Sequence, residues 1–274
     1  MSSLDALSTA TSGLQAQSAA LQNISGNIAN AQTTAFKETD TSFADLVSRR
    51  QLSEIVEWRS VLTNGKSGLI TPGSLSTDMA VRGDGYFTVK APTGVSSSGQ
   101  PTFGVNAVYT RRGDFQLDQN GYLVNAAGNY LMGSPIDPVT GASSTGLQPL
   151  QFDTTTEQPN LGVLKSLSVG SNGKLQGTYS KGQTVDVASL PVATFRGQGF
   201  MQQGDGGVFA ATERSGAAQY TGSSTVVGYA LEASNVDLTD QMTTMVQAQQ
   251  AYSASTRVVT VSNEMLQTIT SLTI

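Results

Sequence analysis

Two sets of residues recur at every seventh position, one at each end of the chain, and no other feature restricts the fold as much. Near the start, Leu7, Leu14, Leu21 and Ile28 keep that spacing, and Ala10, Gln17, Ile24 and Ala31 follow each by three. Near the end, Leu238, Met245, Tyr252, Val259 and Leu266 repeat it, with Ala248 and Ile269 on a second row and Ser255 and Ser262 between them. A seven-residue apolar period makes a seam along one side of a helix, and a seam is buried only when another helix covers it. Gly13 and Gly26 weaken the first helix by about 1 kcal/mol each, so it needs that partner. The second helix runs from Asp237 without Gly or Pro, roughly 50 Å at the rise of an α-helix, and Asn235 or Thr239 is placed to cap it. Its charges are Asp237, Asp240, Arg257 and Glu264, and its face away from the seam reads as Gln, Thr and Ser. Two arrangements satisfy these patterns. The helices can lie separately on a globular core, or the two ends can fold together as a coiled coil with the rest inserted between them. The strict period at both ends favours the coiled coil.

The middle reads differently. From Met79 to Leu231, Gly, Thr, Val, Tyr and Phe dominate, with a turn signal about every ten residues. Met79-Ala-Val-Arg, Gly83-Asp-Gly85 and Tyr86-Phe-Thr-Val89 read as strand, turn, strand. Asn120-Gly121 and Asn172-Gly173 sit at the tips of two hairpins. Residues 92–101 and 134–160 read as loops, and Phe43 to Val61 as partly helical. The expected class is therefore α+β: N- and C-terminal helices forming a coiled coil, with a mainly antiparallel β domain inserted. The expected divisions are an N-terminal helix over 1–34, a connector over 35–78, a β-rich domain over 79–232 and a C-terminal helix over 233–274.

Composition removes several functions. Charged residues make up 13% of the chain, against about 25% usually, which suits extensive protein–protein contact. The net charge is −5, and no basic run exceeds Arg49–Arg50 or Arg111–Arg112, so neither nucleic-acid binding nor a polybasic membrane patch is expected. With no Cys and no His, disulfides, thiolate metal sites and Ser-His-Asp chemistry are out of reach. Asp84, Asp114, Asp118 and Asp205 stand beside or near Gly in turn contexts, where Asp serves local hydrogen bonds, and no carboxylate pair has catalytic spacing. Gly83-Asp-Gly85 and Arg196-Gly-Gln-Gly199 lack the Lys-Ser/Thr of a phosphate loop, and Asp205-Gly-Gly207 lacks a calcium-loop spacing. The sequence predicts no enzyme, cofactor or metal. No apolar run is long enough to cross a membrane, and the first residues lack a cationic and apolar leader, so a cytosolic protein or export without a cleaved signal is expected.

Several motifs resemble those of bacterial flagellar hook and rod axial proteins. They are Asn27-Ile-Ala-Asn30 with Thr34-Ala-Phe36-Lys37, Tyr109-Thr-Arg-Arg-Gly-Asp-Phe115, and Asp118-Gln-Asn-Gly-Tyr-Leu-Val-Asn125. Leu231-Glu-Ala-Ser-Asn235-Val-Asp-Leu238, Ser255-Thr-Arg-Val-Val259, Asn263-Glu-Met-Leu-Gln267 and Gly173-Lys-Leu-Gln-Gly-Thr-Tyr-Ser-Lys-Gly-Gln183 resemble the hook protein most. The resemblance implies a helical homopolymer whose terminal helices form an inner tube around an export channel, with the β domain outside. It further implies type III export and contacts with rod, hook-cap and hook–filament junction proteins. On this reading Leu7, Leu14, Leu21, Ile24, Ile28, Leu238, Met245, Tyr252, Val259, Leu266 and Ile269 carry self-assembly, and Asn27, Asn30, Phe36, Lys37 and Asn235 are the family's motif residues. Ala35 stands where such proteins usually carry Gly, which argues against a left-handed turn there. The stretch from Gly133 to Leu164 is too short for the extra outer domain of hook proteins, a size that fits a distal rod protein as well. A secreted β-rich adhesin is the competing class.

Overall fold

A computed structural model describes residues 3–45, 56–96, 99–144, 146–158, 160–220 and 224–272. Helices α1 (Ser3–Ala29) and α2 (Leu238–Leu272) flank a series of short antiparallel strands, which makes the class α+β. The chain divides into two compact units.

The first unit holds Met1–Ala31, Glu38–Thr63 and Val236–Ile274. In it α1 and α2 pack on each other. A Cβ added at Gly13 would lie 3.6 Å from Ser255 Oγ, and Asn27 Nδ2 lies 3.0 Å from Gln241 Oε1. The same interval separates these contacts on both helices, in opposite senses, so the helices run antiparallel in a single register. Strands β1 (Thr39–Asp45) and β2 (Val56–Leu62) form a hairpin with Phe43 opposite Trp58. This corrects the helical expectation for Phe43 to Val61. Phe43, Val56, Trp58 and Val61, at the described ends of that stretch, are β-formers. Residues 46–55 of that expectation lie outside the described residues. Asn23 Nδ2 donates to Thr41 Oγ1 at 2.8 Å and Ser60 Oγ at 3.0 Å, which seats the hairpin on α1. Covered by a helix and by a hairpin, α1 buries Ala10, Ala16, Ala19, Ala20, Ile24 and Asn27.

The second unit holds Gln32–Lys37 and Asn64–Asn235. Its main sheet places the meander Leu164–Val169, Lys174–Tyr179 and Thr184–Ser189 beside Tyr130–Pro135, then Phe87–Lys90, Val108–Thr110, Val208–Ala210 and Gln202–Gly204. All pairings are antiparallel. Met79, Phe87, Phe115, Leu123, Leu131, Leu167 and Leu175 fill the core. Both Asn-Gly hairpins form. Leu117 pairs with Leu123 and Val169 with Leu175, and Gly121 (φ 80°) and Gly173 (φ 72°) take the left-handed backbone that each turn requires. Asp118 Oδ1 accepts from the Asn120 and Tyr122 N–H groups, the local role expected of a turn aspartate. The unit is closed by two strand pairs, Met79–Arg82 with Thr225–Gly228 and Ile70–Pro72 with Ala230–Glu232.

Ala35 corrects an expectation: it adopts φ 55° and is buried. Its N–H donates to the Glu232 carbonyl at 2.7 Å, so a tertiary hydrogen bond holds Ala in a conformation that Gly would take at less cost.

Candidate functional site

In a chain with few charges, three meet inside the second unit. Lys37 Nζ lies 2.6 Å from Glu232 Oε1 and donates to the Lys66 carbonyl at 2.9 Å. Arg111 Nη1 lies 3.2 Å from Glu232 Oε2, and its Nη2 donates to the Gly83 carbonyl at 2.8 Å. The Gly68 N–H adds a third donor to Glu232 Oε1 at 2.8 Å. All three side chains are at most 1% exposed, and two cations share one carboxylate. Burial pulls the Lys37 ammonium below its ordinary range, only partly countered by Glu232. The Arg111 guanidinium lies 5.3 Å from the Tyr86 ring centre, and burial pushes the Tyr86 phenol up to about 12 although Arg111 acts against the rise. Gly68 is required on steric grounds, since a Cβ there would run into the Ala233 carbonyl.

Around this clasp the backbone joins the same segments. The Asn235 N–H donates to the Phe36 carbonyl at 3.3 Å, and Asn235 Nδ2 to the Lys66 carbonyl at 3.0 Å. Lys37 and Asn235 are thus brought together, and half-buried Phe36 joins them through its backbone.

Asn27 and Asn30 serve the first unit. Buried Asn27 acts as a strand residue would: its Oδ1 accepts from the Thr39 N–H at 3.0 Å and its Nδ2 donates to the Thr39 carbonyl at 2.9 Å. The same Nδ2 reaches Gln241, whose Nε2 donates to Glu38 Oε1 at 2.7 Å. Asn30 Nδ2 donates to the Gly26 carbonyl at 2.9 Å and closes the end of α1.

Of the seam residues, Ile24 is buried, and Leu7, Leu14, Leu21, Ile28, Met245, Val259 and Leu266 are half-buried. Leu238 and Tyr252 are exposed, and the side chain of Ile269 lies outside the described residues. The α1 residues at the two measured contacts, Gly13 and Asn27, stand one position before the leucine row. Outside the seam α2 exposes Thr239, Thr243 and Gln250, as expected, and beside them Met242, Val246, Val258, Val261 and Met265, each about half exposed.

Arg111, Glu232 and Gln241 were not singled out by the sequence reading. Arg111 and Glu232 follow Thr110 and Leu231 within the quoted motifs, and a charge amid strand-forming residues in so uncharged a chain is the available signal. Gln241 begins the seven-residue row that continues through Ala248, Ser255 and Ser262. Among the described residues no group of three or more His, Cys, Asp or Glu could hold a metal ion, and no helix is long and apolar enough to cross a membrane.

Three family models match the chain. They are the flagella basal body rod protein model over residues 7–37, the flagellar hook protein FlgE/F/G D1 domain over 80–177, and the flagellar basal body rod FlgEFG protein C-terminal model over 227–272. Lys37, Arg111 and Glu232 fall one in each, so the clasp joins all three matched regions. The chain is 28% identical to the flagellar basal-body rod protein FlgG of Bacillus subtilis over 98% of its own length and 99% of that protein. It is 36% identical to the flagellar hook protein FlgE of Brucella abortus over 52% of this chain and 34% of that one. Against FlgE of Caulobacter vibrioides it is 34% identical over 68% of this chain and 29% of that one. The chain therefore spans almost the whole of this rod relative and about a third of these hook relatives.

Proposed function

We propose that this chain, which belongs to the family of flagellar hook and rod axial proteins, is a subunit of the hook, polymerising into a helical tube that joins motor to filament. The family is structural and not enzymatic, and its members are parts of the flagellum. The observation that carries the finer reading is identity: 36% and 34% to the two hook proteins, against 28% to the rod protein.

The arrangement supports an assembling subunit. The antiparallel helices bury little charge and present an almost uncharged exterior, so copies associate without large desolvation costs. We assign the seam residues to the folding of this helical unit and hence to assembly, with the helices toward an export channel and the β unit outside. The clasp stands where α1 and α2 connect to the second unit in sequence, at Lys37 and Glu232. A load carried by either helix therefore enters segments joined by ion pairs and backbone hydrogen bonds. Export through the type III apparatus without a cleaved signal, and contacts with rod, hook-cap and junction proteins, belong to the same proposal.

A distal rod subunit is the second reading, favoured by the nearly end-to-end match to the rod protein. Deleting the gene and imaging basal bodies by cryo-microscopy separates the two. A hook subunit leaves completed rods without hooks. A distal rod subunit leaves rods that stop short of the outer ring.

A further inference from the structure

Gln32–Lys37 lies between the end of α1 at Ala29 and the start of β1 at Thr39, in neither helix nor strand. Ala31 and Glu38 on either side belong to the first unit, whereas the segment itself belongs to the second. It is held there by single contacts and not by a strand ladder. The Ala35 N–H donates to the Glu232 carbonyl at 2.7 Å, and the Phe36 carbonyl accepts from the Asn235 N–H at 3.3 Å. Lys37 Nζ donates to Glu232 Oε1 and to the Lys66 carbonyl. Two features oppose this closed arrangement. Ala35 must take a left-handed backbone, φ 55°, and Lys37 is a second buried cation on a carboxylate that already serves Arg111. Lifting the segment takes Lys37 to water and strands no charge behind it. Glu232 keeps Arg111 Nη1 at 3.2 Å and the Gly68 N–H at 2.8 Å, and Arg111 Nη2 keeps the Gly83 carbonyl at 2.8 Å. One cation then faces one anion.

We infer that Gln32–Lys37 is a latch, a strap that opens and closes on the folded second unit while the Arg111–Glu232 pair stays in place behind it. Closed, the chain passes between the two units four times, at 31/32, 37/38, 63/64 and 235/236. Open, the first two passages merge into one slack tether, whose six residues reach at most about 20 Å, and the passages at 63/64 and 235/236 remain. The latch therefore sets how many connections tie the second unit to the rest of the chain, without unfolding any strand. The inference stands whether or not the chain polymerises.

Amide hydrogen exchange of the full-length chain, followed by NMR in increasing urea, tests this. A local opening exposes little surface, so exchange through it is fast and nearly independent of dilute urea, whereas core amides wait for the whole unit to unfold. Buried Leu150, whose N–H donates to the Leu131 carbonyl at 3.0 Å, serves as the core reference. After correction for intrinsic rates, the Ala35 and Asn235 amides are expected to exchange together, at least roughly hundredfold faster than Leu150 and without acceleration below about 1 M urea. The Gly68 N–H, which stays on Glu232 in the open state, is expected to exchange at least roughly tenfold more slowly than Ala35. Exchange at Ala35 that matches Leu150 in rate or in urea dependence would mean that the strap opens only with the whole unit, and would overturn the inference. Gly68 exchanging as fast as Ala35 would overturn it too, because the ion pair would then come apart with the strap.

Discussion

Replacing Glu232 by Gln tests the clasp most severely. The substitution keeps the shape and removes the charge. In the parent, one carboxylate serves Lys37 at 2.6 Å, Arg111 at 3.2 Å and the Gly68 N–H at 2.8 Å, with no side chain of the three more than 1% exposed. Glu232→Gln therefore leaves two buried cations facing an amide. Breaking a buried pair from one side costs about 3–5 kcal/mol, because the remaining charge stays desolvated. Lys37→Met behaves differently. It removes the surplus cation and leaves Arg111 and Glu232 balanced, so it costs about 1–2 kcal/mol of hydrogen bonding and packing. Urea unfolding of the full-length chain, followed by near-ultraviolet circular dichroism of the tyrosines, reads mainly the second unit, because seven of the eight tyrosines lie in it. With a slope of about 2 kcal/mol per molar urea, Glu232→Gln shifts the midpoint down by about 1.5–2.5 M, and Lys37→Met by less than about 1 M. Equal shifts for the two variants, or a Glu232→Gln shift below about 0.5 M, would refute the electrostatic argument.

Other consequences are as direct. The folded pKa of Lys37 is lowered, so its stabilising contribution is complete above its unfolded value of 10.5 and is lost as pH falls through the folded value. The parent accordingly gains stability relative to Lys37→Met as pH rises toward 10.5, measured as the difference in urea midpoints. Tyr86 and Tyr109 are each raised by burial to about 12. The stability they add is complete below pH 10.0 and fades as pH climbs toward 12, and a phenolate absorbance titration should find at least two tyrosines ionising last. Ala35→Gly relieves the left-handed backbone and stabilises by up to about 1 kcal/mol in the same urea assay, whereas Ala35→Val, β-branched at φ 55°, destabilises by about 2 kcal/mol. Asn27→Ala strips hydrogen bonds from Thr39 and Gln241 and costs about 1–3 kcal/mol, seen as helix lost at lower urea while the β signal holds.

The helices were legible because their pattern repeats over many turns, and the two Asn-Gly hairpins because their turns need a left-handed residue that Gly supplies. Strand pairing in β1 and β2 was not, since a short run such as Val56–Leu62 carries no long period to set against a helical one. The clasp was half visible. Lys37 was identified by motif, but its partners lie far along the chain, and no local spacing joins Lys37 to Arg111 or Glu232. Ala35 misled for a different reason. Its left-handed backbone is fixed by a hydrogen bond to Glu232, and identity alone argues against such a conformation. The face of α2 away from the seam reads as polar because Gln, Thr and Ser outnumber the apolar residues, and only the structure shows Met242, Val246, Val258, Val261 and Met265 about half exposed outside the seam.

On the proposed function the terminal helices build the polymer. A helical reconstruction of the assembled full-length chain measures this directly, with Leu14→Asp and Leu266→Asp as controls, since each places an unpaired charge on a helix seam. The expected result is a tube whose inner wall is α1 and α2, and loss of polymer in both variants with the β circular dichroism unchanged. A polymer joined through its β units, with the terminal helices outside the wall, or variants that still form the tube, would contradict it.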